Sequence, residues 1–164
     1  MARDARAEGL VDLGARPEQL RPRDQLTADL RDHSTAVGDR VLNPGDEVVT
    51  VSHSFIATAN AVRYCGAIPV FVDVQRDTYN LDPNLVEAAI SPKTKAILCV
   101  HQIGMPCDMA ALLAISQKRN IPLIEDAACA IGSEILWNGK WEKIGKPHGD
   151  AACFSFHPRK ILST

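Results

Sequence analysis

Ala96-Ile97-Leu98-Cys99-Val100, then Met109 to Arg119 with Leu112, Leu113 and Ile115 facing inward, then Ile121-Pro122-Leu123-Ile124-Glu125 form the stretch that decides the fold. The two outer runs are short, almost wholly apolar and rich in branched residues, as strands covered on both faces are; the middle run has helical spacing. Upstream the same alternation continues. Val48, Val49 and Val51 predict a strand, Ala57 to Tyr64 a helix stopping at Gly66, and Ile68 to Val74 a second strand. Asp82-Pro83-Asn84 opens a helix through Leu85, Val86, Ala88, Ala89 and Ile90, with Pro83 suited to its first turn. Downstream, Trp137-Asn138-Gly139-Lys140-Trp141 predicts a tight hairpin, because Asn-Gly readily supplies two positive-φ positions. Ala151 to Phe156 is expected as the last strand. Strands alternating with helices imply an α/β domain with a mostly parallel sheet flanked by helices.

The chain has 164 residues and a formal net charge of -2, so neither a polyanion-binding surface nor a membrane-seeking face is indicated. No nucleic-acid partner is expected. No apolar run reaches the length of a membrane span and the first residues contain no signal-peptide core, which predicts a cytoplasmic protein. Of five cysteines, scattered without C-x-x-C spacing, most are expected as small buried residues in a reducing compartment rather than metal ligands, although Cys99, His101 and Cys107 lie close together, as do His148, Cys153 and His157. Residues 1 to 43 differ in character from the rest, with seven arginines, no lysine and no Phe, Tyr or Trp. They are expected to be a poorly ordered leader, followed by a domain from residue 44 to 164.

In open parallel sheets ligands lie beyond the carboxyl ends of the strands. Chemistry is therefore expected at Ser52 to Thr58, His101 to Gly104, Asp126 to Cys129 and His157 to Lys160. A lysine after a strand is by itself an ordinary surface charge. Lys160, however, follows Phe154-Ser155-Phe156-His157-Pro158, an aromatic segment in which an amine can be desolvated into a nucleophile. Asp126 ends an apolar strand and precedes small residues, leaving room for a ligand, or alternatively caps a helix. Ala57 and Thr58 stand where a helix begins and its amides favour a phosphate; Ser155 adds a hydroxyl or is a satisfied core serine. An amine, a carboxylate, a flat ring and a helix start are the groups that pyridoxal 5'-phosphate (PLP) requires, the carboxylate keeping its pyridine nitrogen protonated.

Six segments then occur in order: Gly45-Asp46-Glu47-Val48-Val49, Ser54-Phe55-Ile56-Ala57-Thr58-Ala59-Asn60, Pro69-Val70-Phe71-Val72-Asp73-Val74, Thr94-Lys95-Ala96-Ile97, Ile124-Glu125-Asp126-Ala127-Ala128 and Phe154-Ser155-Phe156-His157-Pro158-Arg159-Lys160. In order and spacing they resemble the DegT family of sugar-nucleotide aminotransferases, PLP enzymes of fold type I, across residues 45 to 164. The resemblance implies a catalytic Lys160 that carries the cofactor and then moves protons at the substrate carbon, and an Asp126 paired with the pyridine nitrogen. It implies that Phe55 lies against the ring and that Ala57, Thr58 and Ser155 hold the phosphate. Cys129 stands where relatives often have Gln or His near the ring oxygen, and a thiol is the weaker hydrogen-bond partner. His101 lies on the same rim, with a structural histidine bonded to backbone as the alternative.

The reaction so implied moves an amino group, with glutamate as donor, to a nucleotide-linked keto sugar in sugar or cell-surface polysaccharide biosynthesis. Full-length relatives are expected to be homodimers. Family members carry a Gly-Thr element upstream of the Gly-Asp-Glu match, where this chain has Gly38-Asp39, and they continue well beyond the position of Lys160. Residues 44 to 164 are thus expected to be part of the large domain, without its remainder or the small C-terminal domain. A catalytically silent truncated fragment is the alternative. A sugar dehydratase of the same family dispenses with the lysine, which Lys160 argues against, and a dinucleotide-binding module lacks its G-x-G-x-x-G here.

Overall fold

The computed structural model describes residues 42–146 and 148–161. Three successive strand, helix, strand units build its centre: β1 (Glu47–Val51), α1 (Ala57–Tyr64), β2 (Ile68–Val72), α2 (Pro83–Ala89), β3 (Thr94–Val100), α3 (Met109–Arg119) and β4 (Leu123–Asp126). Each helix returns the chain to the same end of the sheet, so the strands run parallel. A hairpin, β5 (Glu134–Trp137) and β6 (Lys140–Lys143), precedes the last strand, β7 (Ala151–Cys153). The main sheet has the order β2-β1-β3-β4-β7. All four of its pairings are parallel.

Local chemistry sets the helix and hairpin ends. Asp82 accepts the amide hydrogen of Asn84 and Asp108 that of Ala111, each capping the helix that follows. α3 ends on Asn120 in the left-handed region at φ 53°, a conformation Asn tolerates. In the hairpin Asn138 and Gly139 both take positive φ, 49° and 77°, as a type I′ turn demands.

Alternation along the strands divides the core. Val49, Val51, Ile97, Cys99 and Leu123 pack with Val86 of α2 and with Met109 and Leu112 of α3 on one face. Val48 and Ala96 pack with Val62 of α1 on the other, with Leu42, Leu98 and Ile124 alongside. The sheet is thus flanked by helices on both sides, as the apolar strands imply.

Three strands fall short of the limits expected, while β1 and β3 begin slightly earlier, at Glu47 and Thr94. The last strand stops at Cys153 rather than Phe156: its neighbour β4 ends at Asp126, directly opposite Cys153, and the final rung is Ala127 N–H to the Cys153 carbonyl at 2.9 Å. The second strand stops at Val72 because β1 ends opposite it, and Val74 instead bridges back to Leu81. β4 starts at Leu123, not Ile121, because the Ile121 amide closes the end of α3 on Ser116 and Pro122 has no amide hydrogen to give. The leader expected over residues 1 to 43 lies outside the described residues except for Leu42 and Asn43. No helix among the described residues is long and apolar enough to cross a membrane.

Candidate active site

The carboxyl ends of β1, β3, β4 and β7 form one rim, and the expected site residues fall on it. Asp126 closes β4, with its carboxylate half-buried. Oδ2 accepts the hydroxyl hydrogen of Thr58 at 2.8 Å and Oδ1 the amide hydrogen of Ala128 at 3.1 Å. Thr58 sits buried in the first turn of α1, the helix that leads from β1 to β2. A second hydroxyl stands behind it, with Ser54 Oγ 2.8 Å from Thr58 Oγ1.

Beyond β7 the backbone turns at His157 and Pro158, and the Lys160 amide bonds the His157 carbonyl at 2.8 Å. This turn directs the Lys160 side chain back toward the loop after β4, where Nζ donates to Cys129 Sγ at 2.9 Å. Lys160 and Asp126 share no hydrogen bond; the short loop from Asp126 to Cys129 connects them. Phe55 is 80% exposed, and Ala57 is also exposed at the first position of α1. Ser155 is half-buried, and its Oγ accepts a long hydrogen bond, 3.4 Å, from the His157 amide. The structure therefore brings Thr58 to Asp126 and Cys129 to Lys160, and leaves Phe55 and Ala57 exposed and Ser155 half-buried.

His101 is buried, and both ring nitrogens are engaged. Nδ1 accepts the amide hydrogen of Cys107 at 3.0 Å, so the proton of the neutral ring resides on Nε2, which donates to Glu125 Oε2 at 2.9 Å. Glu125 is fully buried, and its Oε1 accepts the Gly149 amide hydrogen at 2.7 Å. Burial disfavours a charged ring, while Cys107 and Glu125 alongside hold its pKa above the usual imidazole range. A second proton would nevertheless have to displace the Cys107 amide. We therefore read the pair as a structural clamp under the rim, the backbone-bonded alternative for this histidine. Cys107 belongs to the same clamp, its thiol donating to the Val100 carbonyl at 3.0 Å. Among the described residues no group of three or more His, Cys, Asp or Glu side chains is placed to hold a metal ion.

Two residues of this arrangement carry weaker sequence signals. Ser54 is one of several polar residues after β1, with nothing local to mark its link to Thr58. Glu125 does leave a trace, since a carboxylate inside an apolar strand must find partners.

Such a site, an amine and a carboxylate at the carboxyl ends of a parallel α/β sheet, has the donor set of a PLP enzyme. The chain belongs to the DegT/DnrJ/EryC1/StrS aminotransferase family, whose model matches residues 34–164. It is 49% identical over 121 residues to the UDP-N-acetyl-3-dehydro-α-D-glucosamine 3-aminotransferase of Acidithiobacillus ferrooxidans, covering 74% of this chain and 31% of that protein. It is 48% identical over 123 residues to the GDP-perosamine synthase of Caulobacter vibrioides, covering 75% of this chain and 32% of that protein. Among solved structures, NtdA of Bacillus subtilis with its cofactor PMP bound superposes with a TM-score of 0.68 at 39% identity, covering 76% of this chain and 26% of that one. The chain thus spans about a third of the length of the curated relatives it matches. The fold is that of PLP-dependent aminotransferases, and the family supports pyridoxal phosphate as cofactor.

The residues present fit that group. Each Asp126 oxygen accepts one hydrogen bond and retains a further lone pair, so the carboxylate can still receive a pyridinium N–H. The Lys160 amine reaches the same loop at Cys129.

Proposed function

We propose that the whole protein transfers an amino group, with glutamate as donor, to the ketone of a nucleotide-activated sugar in sugar or cell-surface polysaccharide biosynthesis. The observation that carries this reading is the convergence of Lys160 and Asp126 on the four-residue loop 126–129, one through Cys129 at 2.9 Å and the other as the loop's first residue. Both curated relatives bear nucleotide-linked sugars in their names, one UDP-linked and one GDP-linked, which supports the substrate class. Exposed apolar side chains around the rim, Phe55, Ile56, Ile103 and Met105, support a homodimer of the whole protein.

When bound, PLP supplies a carbonyl that condenses with amines and a ring that draws electrons from the reacting carbon. Lys160 is the amine that holds the cofactor, and its Nζ then removes and returns the proton at the substrate carbon. Asp126 keeps a proton on the pyridine nitrogen. Phe55 offers a ring face to the cofactor, and Cys129, in contact with Lys160, stands near the ring oxygen. Ala57 at the start of α1 and Ser155 after β7 are the phosphate side of the arrangement. Thr58, the other residue implied there, commits its hydroxyl hydrogen to Asp126.

Borohydride reduction of the whole protein mixed with PLP tests this reading. Peptide mapping should find the cofactor fixed on Lys160, and Lys160→Ala should abolish the label. Labelling of Lys140 or Lys143 instead, or no incorporation, overturns it.

A further inference from the structure

A hydrogen-bond chain runs from Ser54 through Thr58 to Asp126, and its direction follows from valence. An ionised carboxylate only accepts, so Thr58 spends its one hydroxyl hydrogen on Asp126 Oδ2 at 2.8 Å. The Ser54 hydroxyl, 2.8 Å from the same Thr58 oxygen, must then be the donor to it. Thr58 is 6% exposed and belongs to α1, whereas Asp126 ends β4, 68 positions later in the chain. With the Ala128 amide holding the other oxygen, the carboxylate is fixed in rotation from two sides. A carboxylate held by a single bond would swing about its χ2 torsion, which is soft.

We infer that Thr58 is a positioning residue for Asp126, aiming its carboxylate at the cofactor's ring nitrogen, and that Ser54 supports Thr58 in this task. The inference rests on the PLP reading above and deepens it by separating two roles at the start of α1: the hydroxyl of Thr58 serves the nitrogen end of the cofactor, not its phosphate. One hydrogen cannot be given to both. Ser54 has a lesser effect, because it touches the carboxylate only through Thr58.

The two roles predict different responses to a cofactor analogue. The probes are PLP and its carbocyclic analogue with CH in place of the ring nitrogen, titrated into the 164-residue chain. Thr58→Val keeps the shape of the side chain and removes the hydroxyl; Thr58→Ser keeps the hydroxyl. Loss of a hydrogen bond to a charged group should weaken PLP binding in Thr58→Val by about tenfold. Binding of the analogue, which has no nitrogen for Asp126 to meet, should stay unchanged. Thr58→Ser should restore the preference for PLP, and Ser54→Ala should reduce it by less than Thr58→Val. Equal weakening of both probes overturns the inference, since a phosphate contact or a general loss of structure acts on both alike.

A second readout needs no cofactor. In chain labelled with carbon-13 at the aspartate carboxyl carbon, the Asp126 resonance, assigned by its absence in Asp126→Asn, should move in Thr58→Val and return in Thr58→Ser. An Asp126 signal indifferent to Thr58→Val overturns the inference. If the unsubstituted chain binds neither probe but this signal responds as described, Thr58 positions Asp126 and it is the PLP reading that fails.

Discussion

The face of the sheet under α2 and α3 and the face under α1 are finished to different degrees. On the first, Ile97, Met109, Leu112 and Leu123 are fully buried, and the fully buried carboxylate there, Glu125, is bonded to His101 and Gly149. On the second, the buried set is Val48, Val62, Ala67 and Ala96, while Leu98 and Ile124 are only partly covered. Tyr64 on α1 and Phe71 on the opposite side of β2 from Val70 and Val72 lie exposed. The comparison teaches how the site is held. Neighbouring carboxylates on β4 share the labour: Glu125 ties the strand end into the thick face, and Asp126 meets Thr58 at the start of α1.

The largest effect should follow from breaking that tie. Glu125→Ala leaves the His101 Nε2–H and the Gly149 amide without their acceptor, and at about 1–3 kcal/mol for each donor should cost about 2–6 kcal/mol of unfolding free energy, measured by urea titration. A loss below about 1 kcal/mol would mean that the clamp does not anchor the rim.

Packing sharpens the comparison next. Leu112→Ala, on the thick face, should cost about 2–5 kcal/mol by opening a cavity. Val62→Ala, on the thin face, removes two methyl groups and should cost about 1–2 kcal/mol at most. Equal midpoint shifts for the two would show that the faces contribute alike.

Close approach comes third. A Cβ at Gly149 would lie 2.6 Å from the Leu123 carbonyl oxygen and 3.1 Å from Glu125 Oε1, so β7 could no longer dock on β4 undisturbed. Gly149→Ala should therefore lower stability by about 1–3 kcal/mol in thermal melts, and an unchanged melt would contradict the docking geometry.

Smallest in stability is Phe55→Ala, since an 80% exposed ring contributes little to the fold. Its unfolding free energy should stay within about 0.5 kcal/mol, while the yield of borohydride-fixed PLP should drop. A large stability loss would place Phe55 in the core instead of the site.

Much of the architecture was legible in order along the chain, because its causes are local. Asn138-Gly139 specify their turn by the positive φ they tolerate, Asp82-Pro83 a helix start by a side-chain cap and a preset φ, and the apolar runs at 96–100 and 123–125 their burial on both faces. That Asp126 ends one strand and Lys160 follows another was legible as well, since each belongs to a continuous motif whose spacing survives without knowledge of the fold. Strand ends were less legible. Phe154 to Phe156 read as strand from composition, but pairing stops where β4 stops, and a strand cannot know the length of its neighbour.

Partnership between distant side chains was decided only by the tertiary structure. A hydroxyl in Ser54-Phe55-Ile56-Ala57-Thr58 has no local reason to choose the nitrogen or the phosphate end of a ligand, and Thr58 meets Asp126 only because the fold brings the first turn of α1 beside the end of β4. His101 likewise looks like a rim residue until Glu125, 24 positions away, and the Cys107 amide occupy its two nitrogens. By itself the sequence determined which groups are present and which end of the sheet they reach, through periodicity, turn chemistry and motif spacing. Which acceptor each donor satisfies was settled by packing, because one hydrogen makes one bond and the nearest acceptor in space is rarely the nearest in the chain.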